Sequence, residues 1–178
     1  QPKNIRSDLE LAWDNFLLAC VNCNSIKGHD KVSLDDYYWP DRDNTVRAFT
    51  YFATGIVGVN VTLTPEKKKK AKRTIELTGL DRTPAHPNYS DRDNRWQERK
   101  EIWEIAVDSL ADLENNNTEE LRKRIVALAK RSGCFSIWMS VFQDEADMLN
   151  RFIAAFPGTC KDCFDRQGNP LPRPGGAL

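Results

Sequence analysis

A pair of cysteines near the beginning of the sequence could bind a metal ion. Cys20 and Cys23 are separated by two residues, a spacing that lets two thiolates bind one Zn²⁺ in a tight turn. A structural zinc site has four ligands, so this interpretation requires a second pair. Two alternatives stay open. The cysteines could be unpaired core residues, or they could form a redox dithiol, for which the sequence shows no thioredoxin-like βαβ context.

Two asparagines lie on either side of this pair. Asn15 precedes it and Asn24 follows Cys23 directly. An amide oxygen is a hard, neutral ligand, which suits Mg²⁺ better than Zn²⁺. Lys27 comes three residues after Asn24, so the two side chains would share one face of a helix, where the lysine could hold a phosphate as a point charge. A polar helix cap followed by a surface lysine is the simpler interpretation.

The other three cysteines lie far along the chain. Cys160 and Cys163 repeat the same spacing and could complete a four-thiolate zinc site with the first pair, or they could be partly buried free thiols. Cys134 is predicted to open a helix and to lie in the core. The odd number of cysteines and the absence of a signal-peptide pattern in the first residues favour a cytoplasmic protein over a secreted disulfide scaffold.

The charges balance, which limits what the whole protein can attract. Lys+Arg and Asp+Glu each number 26 in 178 residues, so nucleic-acid binding would need local clustering. Residues 67–73, KKKKAKR, form such a cluster and could be either a solvated helix face or a phosphate-contacting surface. The aromatic triplet 37–39 could cover a hairpin or line a nucleic-acid groove. No run of about 18 apolar residues occurs, so no membrane span is expected.

Local patterns predict a mixture of short strands and longer helices. The apolar run 16–19 predicts a buried strand, and the polar residues after Cys23 could open a helix. β-Branched and aromatic residues around two glycines predict a β-hairpin over 49–63. Apolar spacing of three to four residues predicts helices over 66–78, 91–114, a segment capped by Asn117 and ending near Gly133, and 134–155.

These elements together predict an α+β fold. We expect a small irregular module over 1–48, the hairpin over 49–63, a mainly helical bundle over 64–167 and a mobile tail over 168–178. The tail is rich in glycine and proline and has few residues that could anchor it.

The segment Trp13–Gly28 resembles the second half of the HNH, or ββα-metal, nuclease motif. That motif reads Asp/Glu-His-x-x-Pro, then Asn-Leu-x-x-x-Cys-x-x-Cys-Asn/His-x-x-Lys. Pro2 fits its proline, which puts the general-base histidine two residues before Gln1. The HNH subunit of Septu-type and retron-linked anti-phage systems is similar at further segments, namely Leu17–Cys20, Cys23–Gly28, Asp36–Pro40, Ala71–Leu80 and Phe156–Thr159.

The resemblance implies a role for each residue of the constellation. Asn15 would brace the loop that holds the base, and Asn24 would ligate a catalytic Mg²⁺ or Mn²⁺. Lys27 would contact the scissile phosphate. Cys20 and Cys23 would supply half of a structural Zn²⁺ site.

The implied activity is phosphodiester hydrolysis in an anti-phage defence complex, on DNA and with an ABC-type ATPase as partner. Neither His29 nor His86 matches the position of the base, so the chain by itself is expected to be catalytically incomplete. Two alternatives remain. One is a non-catalytic, zinc-stapled module that docks an ATPase, and the other is a standalone restriction-type HNH nuclease.

Overall fold

The computed structural model describes residues 6–13, 16–28 and 32–178. Within these residues the chain is α+β and mostly helical, with six α-helices and one small antiparallel sheet. The predicted α+β class is therefore confirmed. None of the described helices is long and apolar enough to cross a membrane. Asn15, Pro2 and His29, which were singled out above, lie outside the described residues.

The first helix, α1, spans Val21–Lys27 and begins at the cysteine pair. Cys20 is its N-cap residue, and the Cys20 sulfur accepts the Cys23 backbone N–H at 3.4 Å. The helix expected after Cys23 is present, but it begins earlier, at Val21, and includes Cys23. The predicted buried strand over 16–19 is wrong, because Phe16 donates its N–H to the Trp13 carbonyl in a turn and Leu18 is 98% exposed. A strand needs a hydrogen-bonded neighbour, and no strand pairs with this segment in the described part of the chain.

The predicted hairpin is confirmed. Strand β1, Phe49–Tyr51, pairs antiparallel with β2, Val57–Val59, with Phe49 opposite Val59 and Tyr51 opposite Val57. One face of the hairpin packs on a small core that includes Tyr38, which is 1% exposed. The central residue of the aromatic triplet therefore covers the hairpin, as the first of its two interpretations predicts.

Helix α2 spans Pro65–Thr78 and agrees closely with the predicted 66–78. Proline at its first position has no N–H to leave unpaired. Gly79 ends the helix in the left-handed region at φ 63°, which suits a residue without a Cβ. Ala71, Thr74 and Ile75 form its buried face.

Four further helices form the larger core: α3 (Arg95–Asn115), α4 (Glu119–Ser132), α5 (Phe135–Val141) and α6 (Ala146–Ala155). The predicted 91–114 starts four residues early, because the Asp93 carboxylate accepts the Arg95 backbone N–H in a turn that precedes the helix. Thr118, not Asn117, caps α4, and its hydroxyl accepts the Leu121 N–H at 3.2 Å.

The predicted single helix over 134–155 is two helices, because the chain breaks at 142–145. In a continuous helix Phe142 and Phe152 would lie about 15 Å apart along the axis. The break folds α6 back, so that their rings meet edge to face at 5.2 Å. Trp138, with no exposed surface, completes this aromatic core.

The predicted mobile tail is instead anchored. Leu178 is 1% exposed, and its carbonyl accepts the Asn44 backbone N–H at 2.9 Å. The Asn44 side-chain amide donates to the carbonyls of Cys163 and Leu171 at 2.9 and 2.8 Å, and Asp43 accepts the Ala177 N–H at 2.9 Å. The buried side chains of Asn44 and Asp43 thus form hydrogen bonds with backbone groups near the end of the chain, which the amino-acid composition does not predict.

Candidate functional site

Helix α1 packs against the end of α2, where the absence of a side chain makes room for it. A Cβ built on Gly79 would lie 2.6 Å from Cδ1 of Ile26, closer than two carbons can approach. Gly79 therefore serves two purposes: it ends α2 with a positive φ, and it lets Ile26 of α1 pack directly on the backbone.

A buried ion pair, Arg95–Asp93, also holds α1 in place. Arg95, the first residue of α3, donates Nε and Nη2 to the two oxygens of Asp93 at 2.8 and 2.7 Å. Arg95 Nη1 also donates to the Thr78 carbonyl at 3.0 Å, and Nη2 donates to the Gly79 carbonyl at 3.2 Å. Asn22 of α1 donates to Asp93 at 3.1 Å. The pair therefore joins α1, the end of α2 and the start of α3.

The same arginine contacts the cysteine pair. Arg95 Nη1 donates to the Cys23 sulfur at 3.0 Å, so Cys23 faces inward, while Cys20 is exposed. Arg95 and Asp93 have side chains that are only 13% and 9% exposed. A guanidinium at this distance favours negative charge on the sulfur, but the desolvation of Cys23 outweighs this effect and its pKa is raised.

Hydrogen bonds, burial and neighbouring charges shift the pKa values of four groups near α1, namely Asp93, Arg95, Cys20 and Cys23. The hydrogen bond from Arg95 holds the pKa of Asp93 below its usual range, and the bond to Asp93 raises the pKa of Arg95. Desolvation and then the Cys20 thiol raise the pKa of Cys23. Desolvation also acts to raise the pKa of Cys20, but the Cys23 backbone N–H, the Cys23 thiol and Arg95 lower it overall. The pair is thus asymmetric, with Cys20 the more easily ionised sulfur.

Asn24 and Lys27 lie on the same short helix. Asn24 is exposed and Lys27 half-buried in the last turn. No hydrogen bond within the described residues uses the Asn24 side chain, so its amide oxygen is available to a ligand. Helix α1 therefore brings together four of the predicted site residues, whereas Asn15 is outside the described part.

The chain was also compared with known proteins. No protein-family model, curated protein or solved structure matches it.

The residues present supply only part of a metal site. Cys20 and Cys23 could provide two thiolates and Asn24 one oxygen, which fits the division between a structural zinc and a catalytic magnesium site. Across 6–13, 16–28 and 32–178, however, no three His, Cys, Asp or Glu side chains are grouped so that they could hold a metal ion.

The second cysteine pair does not join the first. Cys163 is buried and Cys160 half-buried, at a turn beside Asn44. Desolvation, with the neighbouring Cys160 thiol, raises the pKa of Cys163 to about 11, so that it stays protonated at neutral pH. The structure thus favours partly buried free thiols over the four-thiolate staple. Cys134 is exposed at the start of α5, so it opens a helix as predicted but does not lie in the core.

His86 lies in the loop between α2 and α3, where its Nδ1 accepts the Asn88 N–H at 3.1 Å and its Nε2 is 3.6 Å from Asp81. Its neighbours are therefore loop residues.

Sequence reasoning missed Arg95 and Asp93. An acidic and a basic residue beside a helix start is the only local signal, and many surface charges share it. Their importance comes from contacts across 72 residues to Cys23.

Proposed function

We propose that this chain is a metal-dependent HNH endonuclease subunit that hydrolyses nucleic-acid phosphodiesters. The observation that carries the proposal is that Cys23 of α1 faces the protein interior whereas Asn24 of the same helix faces solvent. Arg95 holds Cys23 toward the protein, at a helix that begins at Cys20, and Asn24 points into solvent on the same helix. A cysteine pair and an outward-facing amide oxygen at one helix match part of the HNH motif, although the strand expected before the helix is absent from residues 16–19.

Each residue would have a separate task at the bound nucleic acid. Asn24 offers a neutral oxygen ligand, and Lys27 holds a neighbouring phosphate by charge. Cys20 and Cys23 contribute two thiolates toward Zn²⁺ and so fix the start of α1. A divalent ion at Asn24 would polarise the phosphate and stabilise the leaving oxygen. In the HNH family that this segment resembles, a histidine takes the proton from the attacking water.

A docking module for a protein partner is the second candidate function. Large apolar side chains around the start of α1 are exposed, among them Leu18 at 98% and Val21 at 83%. Exposed apolar side chains that lie together on a surface are typical of interaction sites. By the resemblance, the partner would be an ABC-type ATPase of an anti-phage complex, and the two functions could coexist.

The nuclease proposal predicts DNA cleavage that depends on a divalent ion. Native-length protein, alone and with its co-purifying partners, is incubated with supercoiled plasmid in Mg²⁺, in Mn²⁺ and in EDTA. We expect nicked and linear products with either metal and none in EDTA, because the reaction needs a Lewis acid at the phosphate. Absence of cleavage with both metals in all preparations, or cleavage that persists in EDTA, would contradict the proposal.

A further inference from the structure

Helix α2 carries an excess of positive charge that the rest of the protein does not share. Six of its 14 residues are Lys or Arg and two are Glu, although the net charge of the chain is zero. Four lysines occupy positions 67–70, near the N-terminus of the helix. Cations are unfavourable there, because the helix dipole is positive at that end. Helix stability therefore does not account for the lysines.

Few of these charges are neutralised within the protein. Arg73 pairs with Asp36 at 2.7 Å, and Lys72 is 3.8 Å from Glu76. Lys70 lies over the Tyr38 ring, 4.6 Å from its centroid. None of the ion pairs between described residues includes Lys67, Lys68 or Lys69.

The rest of the helix surface decides which polyanion fits. The apolar side chains Ala71 and Ile75 face the core, and within the described residues α2 has no exposed large hydrophobic side chain. A helix that inserts into a membrane surface needs an apolar face toward the lipid, and one that binds single strands by stacking needs exposed aromatic rings. Helix α2 has neither, which favours contacts to a phosphate backbone.

We propose that α2 binds the phosphate backbone of duplex nucleic acid, independently of its sequence, and delivers that backbone to α1. The two helices pack against each other, with Ile26 of α1 on Gly79 at the end of α2. The backbone would contact the exposed Lys69 and Lys72, with the half-buried Lys67 and Lys68 beside them at the start of the helix. This inference deepens the proposed nuclease function and rests on it only for the delivery to Asn24 and Lys27.

The test is binding of a fluorescent duplex, measured by anisotropy without added Mg²⁺ or Mn²⁺ so that no cleavage takes place. The native-length protein is compared with the variant Lys67→Gln, Lys68→Gln, Lys69→Gln, Lys72→Gln. The matched control removes the same charge from the exposed part of α4, with Lys123→Gln, Arg124→Gln, Lys130→Gln and Arg131→Gln. Circular dichroism and thermal melting verify that all three proteins are folded.

We expect the α2 variant to bind duplex DNA at least about tenfold more weakly at moderate salt, and the slope of log Kd against log salt concentration to fall by about 2 to 3. The α4 variant should bind like the native protein. An equal loss in both variants, or an unchanged slope in the α2 variant, overturns the proposal.

Two further measurements distinguish duplex binding from membrane binding and compare the two kinds of duplex. Phosphatidylcholine vesicles with about 30% phosphatidylserine test the anionic-membrane alternative, and binding to vesicles but not to duplex overturns the proposal. Comparing DNA with RNA duplexes identifies the polyanion. The selective loss of binding in the α2 variant supports the proposal even if the plasmid assay shows no cleavage, so the failure of one proposal is distinguishable from the failure of the other.

Discussion

Replacing Asn24 with alanine is expected to slow metal-dependent DNA cleavage by about 100-fold or more, which corresponds to about 2.7 kcal/mol of lost transition-state stabilisation. Asn24 is the exposed residue of α1 that we propose as an oxygen ligand of the metal ion, and alanine has no side-chain oxygen to replace it. The fold should be unchanged, because the Asn24 side chain makes no hydrogen bond within the described residues. Initial rates of plasmid nicking, with melting curves, measure both effects.

Two variants make this result interpretable. Ser25→Ala alters the next exposed residue of α1 and should cleave at the native rate. Asn24→Asp keeps an oxygen ligand and should retain more activity than Asn24→Ala, particularly in Mn²⁺. Full activity in Asn24→Ala, or an equal loss in Ser25→Ala, would exclude Asn24 as a metal ligand.

The Asp93→Asn variant is expected to lose about 3 kcal/mol of the free energy of unfolding. It leaves Arg95, whose side chain is 13% exposed, without its carboxylate partner, and an uncompensated buried charge is costly. Urea unfolding measures the loss. Because Arg95 also contacts Cys23, the Cys23 thiol should react faster with a disulfide reagent. Asp91→Asn, at an exposed neighbour, is the control, and similar stability in both variants would show that the ion pair is not an anchor.

The same ion pair predicts a pH dependence with a definite sign. Arg95 lowers the pKa of Asp93 in the folded protein, so the folded state binds a proton at Asp93 less readily than the unfolded state. The stabilisation is complete above the ordinary Asp pKa of about 3.9 and is lost as pH falls through the lower pKa of the folded protein. The difference in unfolding free energy between native protein and Asp93→Asn should therefore shrink below about pH 4.

Much of the fold follows from local signals. The hairpin is predicted because β-branched residues alternate around glycines, and its pairing of Phe49 with Val59 lies within the predicted range. Helix α2 is predicted over 66–78, with Gly79 as the residue that ends it. Helix α1 is predicted in part, because polar residues follow Cys23, but it begins earlier, at Val21. Each of these signals acts over a few residues, so the sequence displays it directly.

The remaining features depend on contacts between distant residues. The Asn44 side chain donates hydrogen bonds to carbonyls more than 100 positions away, so the amino-acid composition does not predict how the last residues pack. The break between α5 and α6 is set by Phe142 and Phe152 meeting in the core. The candidate site shows the same division. Cys20, Cys23, Asn24 and Lys27 are found from their spacing, whereas Arg95 and Asp93 are found only from the three-dimensional structure.

The central claim is that α1 carries an oxygen ligand for a catalytic divalent ion beside a thiolate pair. Titrating Mn²⁺ into isotope-labelled native-length protein tests it most directly, because signals close to the paramagnetic ion broaden first. We expect the Asn24 side-chain amide and the α1 backbone amides to broaden at the lowest Mn²⁺ concentrations, and this selectivity to disappear in Asn24→Ala. Early broadening at acidic surface residues of α3, with α1 unaffected, would contradict the claim.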